Sequence, residues 1–351
     1  LLAERSSLVV QVKVQAGGGK TMRAGWLSVA AVVVLTAGGA APGMAQTREM
    51  TMGNVNPAKH GTTLAADQFV AKVGELTGGK LKIIHHHSGA LGGEREVAQQ
   101  IQLGTVDFGP ITAAPMSTLV PEMSALQLPY LFRDYQHVYA ALDGSDTLRK
   151  YYEGVLDRKG FKLLGFIAAG YRGIYGHYPI NSIADVKGKK IRVQEDKILV
   201  ATFKALGMIS TPIAFPEVAT ALQTKVIDFA EGGINTYYHN KFYDIVKNVA
   251  DVRHTHQVIL LVMSKASWGK VDGETQKALV EAARFAEQWN RKFILDEDRS
   301  IQNDVKAKGA TITKPDPTPF REATKGVYDE FYATPAGQDA RKIVDHILSL
   351  K

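Results

Sequence analysis

Between residues 49 and 108 the chain alternates two periodicities, and this alternation limits the possible folds more than any other feature. Residues 49–55 read as a strand. Ala66, Phe69, Val70, Val73 and Leu76 then recur at helical spacing and stop at Gly78-Gly79. Residues 81–84 read as a strand, 94–103 as a helix with Val97 and Ile101 inward and Gly104 at its end, and 105–108 as a strand again. Such a strand–helix order buries its apolar faces as a mostly parallel sheet covered by helices, an α/β fold. The pattern resumes with strands at 161–168 and 189–193. Leu199, Phe203 and Leu206 then line a helix stopped by Gly207, followed by a helix at 217–223 and a strand at 226–230. A faint echo joins the two stretches: Gln102, Val106, Asp107 and Phe108 match Gln223, Ile227, Asp228 and Phe229 in spacing. Two lobes built alike would produce it. Residues 273–308 contain no proline and carry the stripe Leu279, Ala283, Ala286, Phe293, which predicts a helix long enough to bridge lobes. Gly309 ends it, Pro315, Pro317 and Pro319 mark a loop, and a last helix is expected over 324–332.

The first 45 residues stand apart. Met22-Arg23, an apolar stretch over 26–41 and the small-residue site Gly43-Met44-Ala45 form the three parts of a secretory signal peptide over 22–45, with a retained membrane anchor as the alternative. Residues 1–21 read as an upstream extension. Gly19-Lys20-Thr21 is no phosphate loop, because Val14 stands where the first glycine belongs. The first 45 residues carry four basic side chains and one acidic, so the net charge of +7 falls to +4 over 46–351. Its basic residues are scattered rather than gathered in a stripe, which argues against nucleic acid as a partner. The absence of cysteine excludes disulfides, thiolate metal sites and cysteine catalysis, and suits an oxidising compartment such as the periplasm.

Two arginines occupy unusual places. Arg192 stands between the apolar residues Ile191 and Val193 of a strand, and Arg172 follows the apolar run 161–169. Such an arginine either pairs with an internal carboxylate or reaches a cleft at the carboxyl ends of the strands and holds an incoming carboxylate. Guanidinium suits the second task because its planar fork matches a carboxylate bidentately.

Other candidates carry less. His85-His86-His87 in a strand would alternate faces, so at most two could share an ion, and no HExxH motif accompanies them. A polar strand end entering the Ser88-Gly89 turn is the better account. His254 and His256 read as internally satisfied histidines near a lobe crossing. No catalytic constellation stands out. GxSxG does not occur, Glu94 and Glu96 lie in a first helical turn that favours acids, and Asp107 and Asp228 read as structural. Of the aromatic residues Phe215, Tyr237, Tyr238, Phe242 and Tyr243, Phe215 sits just before a helix, where a ring can cover a ligand.

Five segments together resemble one family. They are SGALGGEREVAQQIQLGTVDF (88–108), VPEMSALQLPYLFRD (120–134), GYRGIYGHYPINSIADVKGKKIRVQ (170–194), LGMISTPIAFPEVATALQTKVIDFAEGG (206–233) and HNKFYDIVKNV (239–249). In order and spacing they resemble the periplasmic solute-binding proteins of TRAP (tripartite ATP-independent periplasmic) transporters, over nearly all of 46–351. The resemblance implies a two-lobed periplasmic binding protein of type II-like form, with a ligand cleft between lobes and a long bridging helix. It implies no enzyme activity and no cofactor. The lobes are expected at 46–168 plus 257–297 and at 169–256 plus 298–351. The implied ligand is a small organic acid, delivered to the small and large TRAP membrane subunits, and a monomer is expected rather than a dimer.

The resemblance also assigns roles. Arg192 would make the main bidentate bridge to the ligand carboxylate and Arg172 would support it, with Glu94 and Thr112 alongside and Phe215 over the ligand. Where relatives often carry a ligand-reaching asparagine this chain has Gly232, unless Asn235 or Tyr237 substitutes. His87 replaces a proline common in relatives. The segments are similar in style to relatives that take sugar acids, hexuronates above all. The missing amide leaves room for a smaller hydroxy acid or one with an apolar tail. Rival readings are a receptor of an ABC or tricarboxylate transporter, an exported hydrolase, and a purely structural periplasmic protein.

Overall fold

A computed structural model describes residues 47–350 apart from Ser145. The expected upstream extension and signal peptide lie outside the described residues. Nine strands form one sheet: β1 (Arg48–Gly53), β2 (Leu81–His86), β3 (Phe108–Thr112), β4 (Phe161–Gly176), β5 (Lys190–Val193), β6 (Ile209–Pro212), β7 (Phe229–Gly233), β8 (Asn248–Ser264) and β9 (Thr311–Thr313). Their order is β2-β1-β3-β8-β4-β7-β5-β6, with β9 beside β8.

The expected mostly parallel sheet is in fact mixed. β2-β1-β3 and β7-β5-β6 are parallel groups. Between them run β4 and β8, antiparallel to each other and to the groups they join. With 16 and 17 residues each is about 50 Å long, enough to pass from one half of the protein to the other. The sequence signal for β4 faded at residue 168 because the strand is irregular there. Its register against β8 slips between Ala168 and Tyr171 and again between Arg172 and Ile174. Gly170 lies in that break at φ +86°, a conformation suited to glycine.

The internal echo has a structural cause. In each half an aspartate just before a strand is bonded to its parallel neighbour. Asp107 accepts from the Thr51 backbone N–H at 2.8 Å and donates its own N–H to the Thr51 carbonyl at 3.0 Å. Asp228 does the same with Lys190, at 2.8 Å and 2.9 Å. Both aspartates are structural, and because they lie in the approach turns the strands begin at Phe108 and Phe229, three residues later than expected.

The long helix spans Gly273–Ala307, about 52 Å, with Asp272 capping its start by accepting from Thr275 N–H at 2.7 Å. Its Leu279, Ala283 and Ala286 join the core with Met52, Phe69 and Ile259. Its Ile301 and Val305 join the core with Tyr175, Tyr237 and Val249. Phe293, expected in the same stripe, is half-buried and stacks on Trp289 instead. The closing helices Gly326–Tyr332 and Pro335–Ser349 pack with first-half residues such as Leu126, Val138 and Tyr152. The tail therefore crosses back, and 298–351 is not confined to the second half.

Candidate ligand-binding site

Arg192 and Arg172 reach one cavity of about 290 Å³, partly open to solvent, together with Glu94, Thr112, Phe215, Val55, Asn56, Gln194, Glu231, Thr236 and Gln257. Its position follows from the topology. β5 and β7 run parallel and deliver Arg192, Gln194 and Glu231 at their carboxyl ends. From the other half, the helix Glu94–Leu103 presents Glu94 in its first turn and Thr112 ends β3.

The two arginines differ in what holds them. Arg172 is occupied by the protein itself. Its Nε donates to Glu231 Oε2, Nη1 to Gln257 Oε1 at 2.6 Å, and Nη2 to the Glu231 carbonyl at 3.1 Å. Glu231 is fully buried and also accepts from Gln194 N–H at 3.0 Å through Oε1. Burial opposes its ionisation, but the adjacent Arg172 guanidinium holds its carboxyl well below the usual range. Gln257 then donates to Thr112 Oγ1 at 3.2 Å, and Thr112 donates both its hydroxyl and its N–H to Glu94 Oε1, at 2.7 and 2.9 Å. A continuous chain of hydrogen bonds thus joins Glu94 in one half to Glu231 in the other. Burial pushes the Glu94 carboxyl above its ordinary pKa despite the bonds from Thr112.

Arg192 is left differently. It is 2 % exposed, and its Nε donates to the Ile213 carbonyl at 2.8 Å. Its guanidinium carbon stands 5.9 Å from the centre of the Phe215 ring. Among the described residues neither terminal nitrogen has a hydrogen-bond partner and no carboxylate forms a salt bridge with it. Burial lowers its pKa, although Glu231 works against that. The cavity therefore contains one internally neutralised cation and one whose fork is unengaged.

The remaining expected residues lie elsewhere. Gly232 and Tyr237 line a second cavity of about 480 Å³, with Tyr171, Tyr175, Asp251, Arg253 and Asp298 among its other residues. Asn235 borders neither; its Nδ2 donates to the Ala169 carbonyl at 3.3 Å and its Oδ1 accepts from Thr236 N–H at 2.7 Å. The neighbouring Thr236 faces the smaller cavity instead. Val55, Asn56, Gln194, Thr236 and Gln257 were not singled out in the sequence. Only Gln194, next to the IRV strand, had a signal that could have found it.

The histidines depart from expectation in one respect. His85 is engaged, by Asp67 at 2.7 Å and Asn54 at 3.3 Å. His254 and His256 are buried as expected, and His254 Nε2 pairs with Glu231 Oε2 at 3.5 Å. Among the described residues the His256 ring nitrogens have no hydrogen-bond partner. Burial depresses His256 to about 3, so it packs as a neutral ring against Tyr135, Tyr171 and Phe132.

A two-lobed α/β fold with a polar cavity where parallel strands end is an architecture shared with solute-binding proteins. Residues 52–334 match the family described as bacterial extracellular solute-binding protein, family 7 (DctP), and the chain belongs to it. These are TRAP solute-binding proteins. The 2,3-diketo-L-gulonate-binding periplasmic protein YiaO of Escherichia coli is 31 % identical over 290 residues, covering 81 % of this chain and 87 % of YiaO. Among solved structures, a TRAP periplasmic solute-binding protein from Polaromonas bound to D-erythronate superposes with a TM-score of 0.83 at 29 % identity, covering 87 % of this chain and 99 % of that one. Another, from Sulfitobacter with bound β-D-galacturonate, gives 0.82 at 27 % identity, covering 86 % and 100 %.

Proposed function

We propose that the chain captures a small sugar acid or hydroxy acid in the periplasm through a bidentate salt bridge between its carboxylate and Arg192, and hands it to a TRAP membrane permease. One observation carries the reading: of the four charged side chains lining the cavity, only Arg192 has no counter-charge or hydrogen-bond partner at its terminal nitrogens among the described residues. An unpaired guanidinium is costly to bury. An acid that engages it favours the closed form over the open one, which is how a ligand drives closure. The sugar acids bound by the erythronate and galacturonate proteins support the ligand class. Family membership supports the membrane partner and the periplasmic location, and no described helix is long and apolar enough to cross a membrane.

The test is calorimetry and thermal shift with D-galacturonate, D-glucuronate, D-erythronate and matched neutral sugars. At about a thousand times its dissociation constant, a true ligand adds ~4 kcal/mol of stability. Arg192→Ala should weaken binding by ~2–5 kcal/mol and leave the fold intact. Unchanged affinity of that variant, or equal binding of neutral sugars, would refute the reading.

A further inference from the structure

Gly232 leaves a gap on one face of the sheet, and Tyr175 fills it. Tyr175 of β4 pairs with Ala230 of β7, and Ala230 pairs on its other side with Arg192 of β5. Cross-strand partners share a face, so Tyr175, Ala230 and Arg192 stand abreast, with only a methyl group between two long side chains. Gly232 is two residues further along β7 on that same face. A Cβ at 232 would lie 3.1 Å from Tyr175 Cε1 and 3.3 Å from its hydroxyl oxygen. The phenol therefore leans toward the carboxyl end of β7, over the bare Gly232.

The ring has ordinary reasons to be there, since it stacks on Phe242 at 5.3 Å and meets Tyr237 at 5.4 Å. The hydroxyl does not. Tyr175 is 1 % exposed and its hydroxyl has no hydrogen-bond partner among the described residues. Burial raises its pKa, and of the surrounding charges Arg192 acts on it most strongly. The residues that could otherwise replace an amide at 232 are spent: Asn235 as described above, and Tyr237 on the Val246 carbonyl at 2.6 Å. Two unengaged donors, the Arg192 fork and the Tyr175 hydroxyl, thus project from neighbouring rows of one sheet face.

We propose that Tyr175 is a specificity-determining ligand residue, whose hydroxyl takes the place of the side chain missing at 232 and donates to the carboxylate that Arg192 holds. The proposal rests on the acid-capture reading above. Tyr175 and Gly232 border the larger cavity and Arg192 borders the smaller.

Calorimetry with D-galacturonate, D-glucuronate and D-erythronate tests this on the full chain. Tyr175→Phe should keep the ligand-free melting temperature, because the hydroxyl has no protein partner to lose. It should weaken all three acids alike, by roughly 10- to 100-fold, the worth of one hydrogen bond to a charged group. Affinities unchanged within experimental error would overturn the proposal, and so would a loss that grows with the number of ligand hydroxyls. Gly232→Asn alone should bind poorly, and Tyr175→Ala with Gly232→Asn should recover most of the affinity. A fully active Gly232→Asn would show that Tyr175 does not occupy that volume. Arg192→Ala is the control. If it still binds, or if the unaltered chain binds none of the acids, the acid-capture reading fails; if it is inactive while Tyr175→Phe is normal, only this proposal fails.

Discussion

Replacing Glu231 by leucine removes the carboxylate that, among the described residues, forms the salt bridge with Arg172, and the structure sets the size of the effect. Glu231 is fully buried and takes Arg172 Nε on one oxygen and Gln194 N–H on the other. Its loss strands a guanidinium that is 3 % exposed, together with a backbone donor. Removing one partner of a buried pair costs ~3–5 kcal/mol. At ~2–4 °C per kcal/mol for a chain near this size, the ligand-free protein should melt roughly 6–20 °C lower. Arg172→Met should cost a similar amount, because it leaves Glu231 without its cation. The double variant Arg172→Met with Glu231→Leu should then be more stable than either single variant, since neither charge remains to be stranded. Thermal and urea unfolding of all four proteins closes the cycle, with an expected coupling larger than either single loss, above ~3 kcal/mol. Additive losses would mean that the two groups do not sense one another, and the division of labour between the arginines would fall with them.

Further expectations concern the frame around the site. Burial raises the Asp298 carboxyl from 3.8 to about 6. The folded state then binds more protons than the unfolded one between those values, so this group's contribution to stability declines as pH rises from about 4 to 6, by ~3 kcal/mol. Asp298→Asn should remove that decline; urea unfolding of both proteins across the window reads the difference, and parallel curves would refute it. Asp107→Asn and Asp228→Asn should each cost ~1–3 kcal/mol by weakening a carboxylate bond to a strand N–H. Hydrogen exchange should then rise at Thr51 in the first variant and at Lys190 in the second, and a swap of those two sites would refute the pairing.

Much of this fold was legible in the sequence because its signals are local. Helical stripes ending at Gly104 and Gly207, and the proline-free run 273–308, each report an element that could be read without its neighbours. What was missed depends on partners. β4 and β8 run antiparallel between two parallel groups, and no periodicity within 161–176 or 248–264 says so. The register slips near Gly170 and the return of the helix Pro335–Ser349 to the first half are likewise set by contacts distant in sequence.

The site divides in the same way. Two arginines in apolar strand contexts were visible as anomalies, but their roles were not, because a buried arginine looks the same in sequence whether protein or ligand completes it. A third residue separates the cases: Glu231 is matched to Arg172 across β4 and β7, and this leaves Arg192 as the unmet cation. That assignment rests on pairing between strands 59 residues apart. Gly232 shows the same limit from the other side. In sequence it is a missing amide, and the search for a replacement runs along the chain to Asn235 and Tyr237. In the sheet its nearest occupant is Tyr175, on the neighbouring strand. On the proposed reading, the contact absent at 232 comes from the adjacent strand rather than from sequence neighbours.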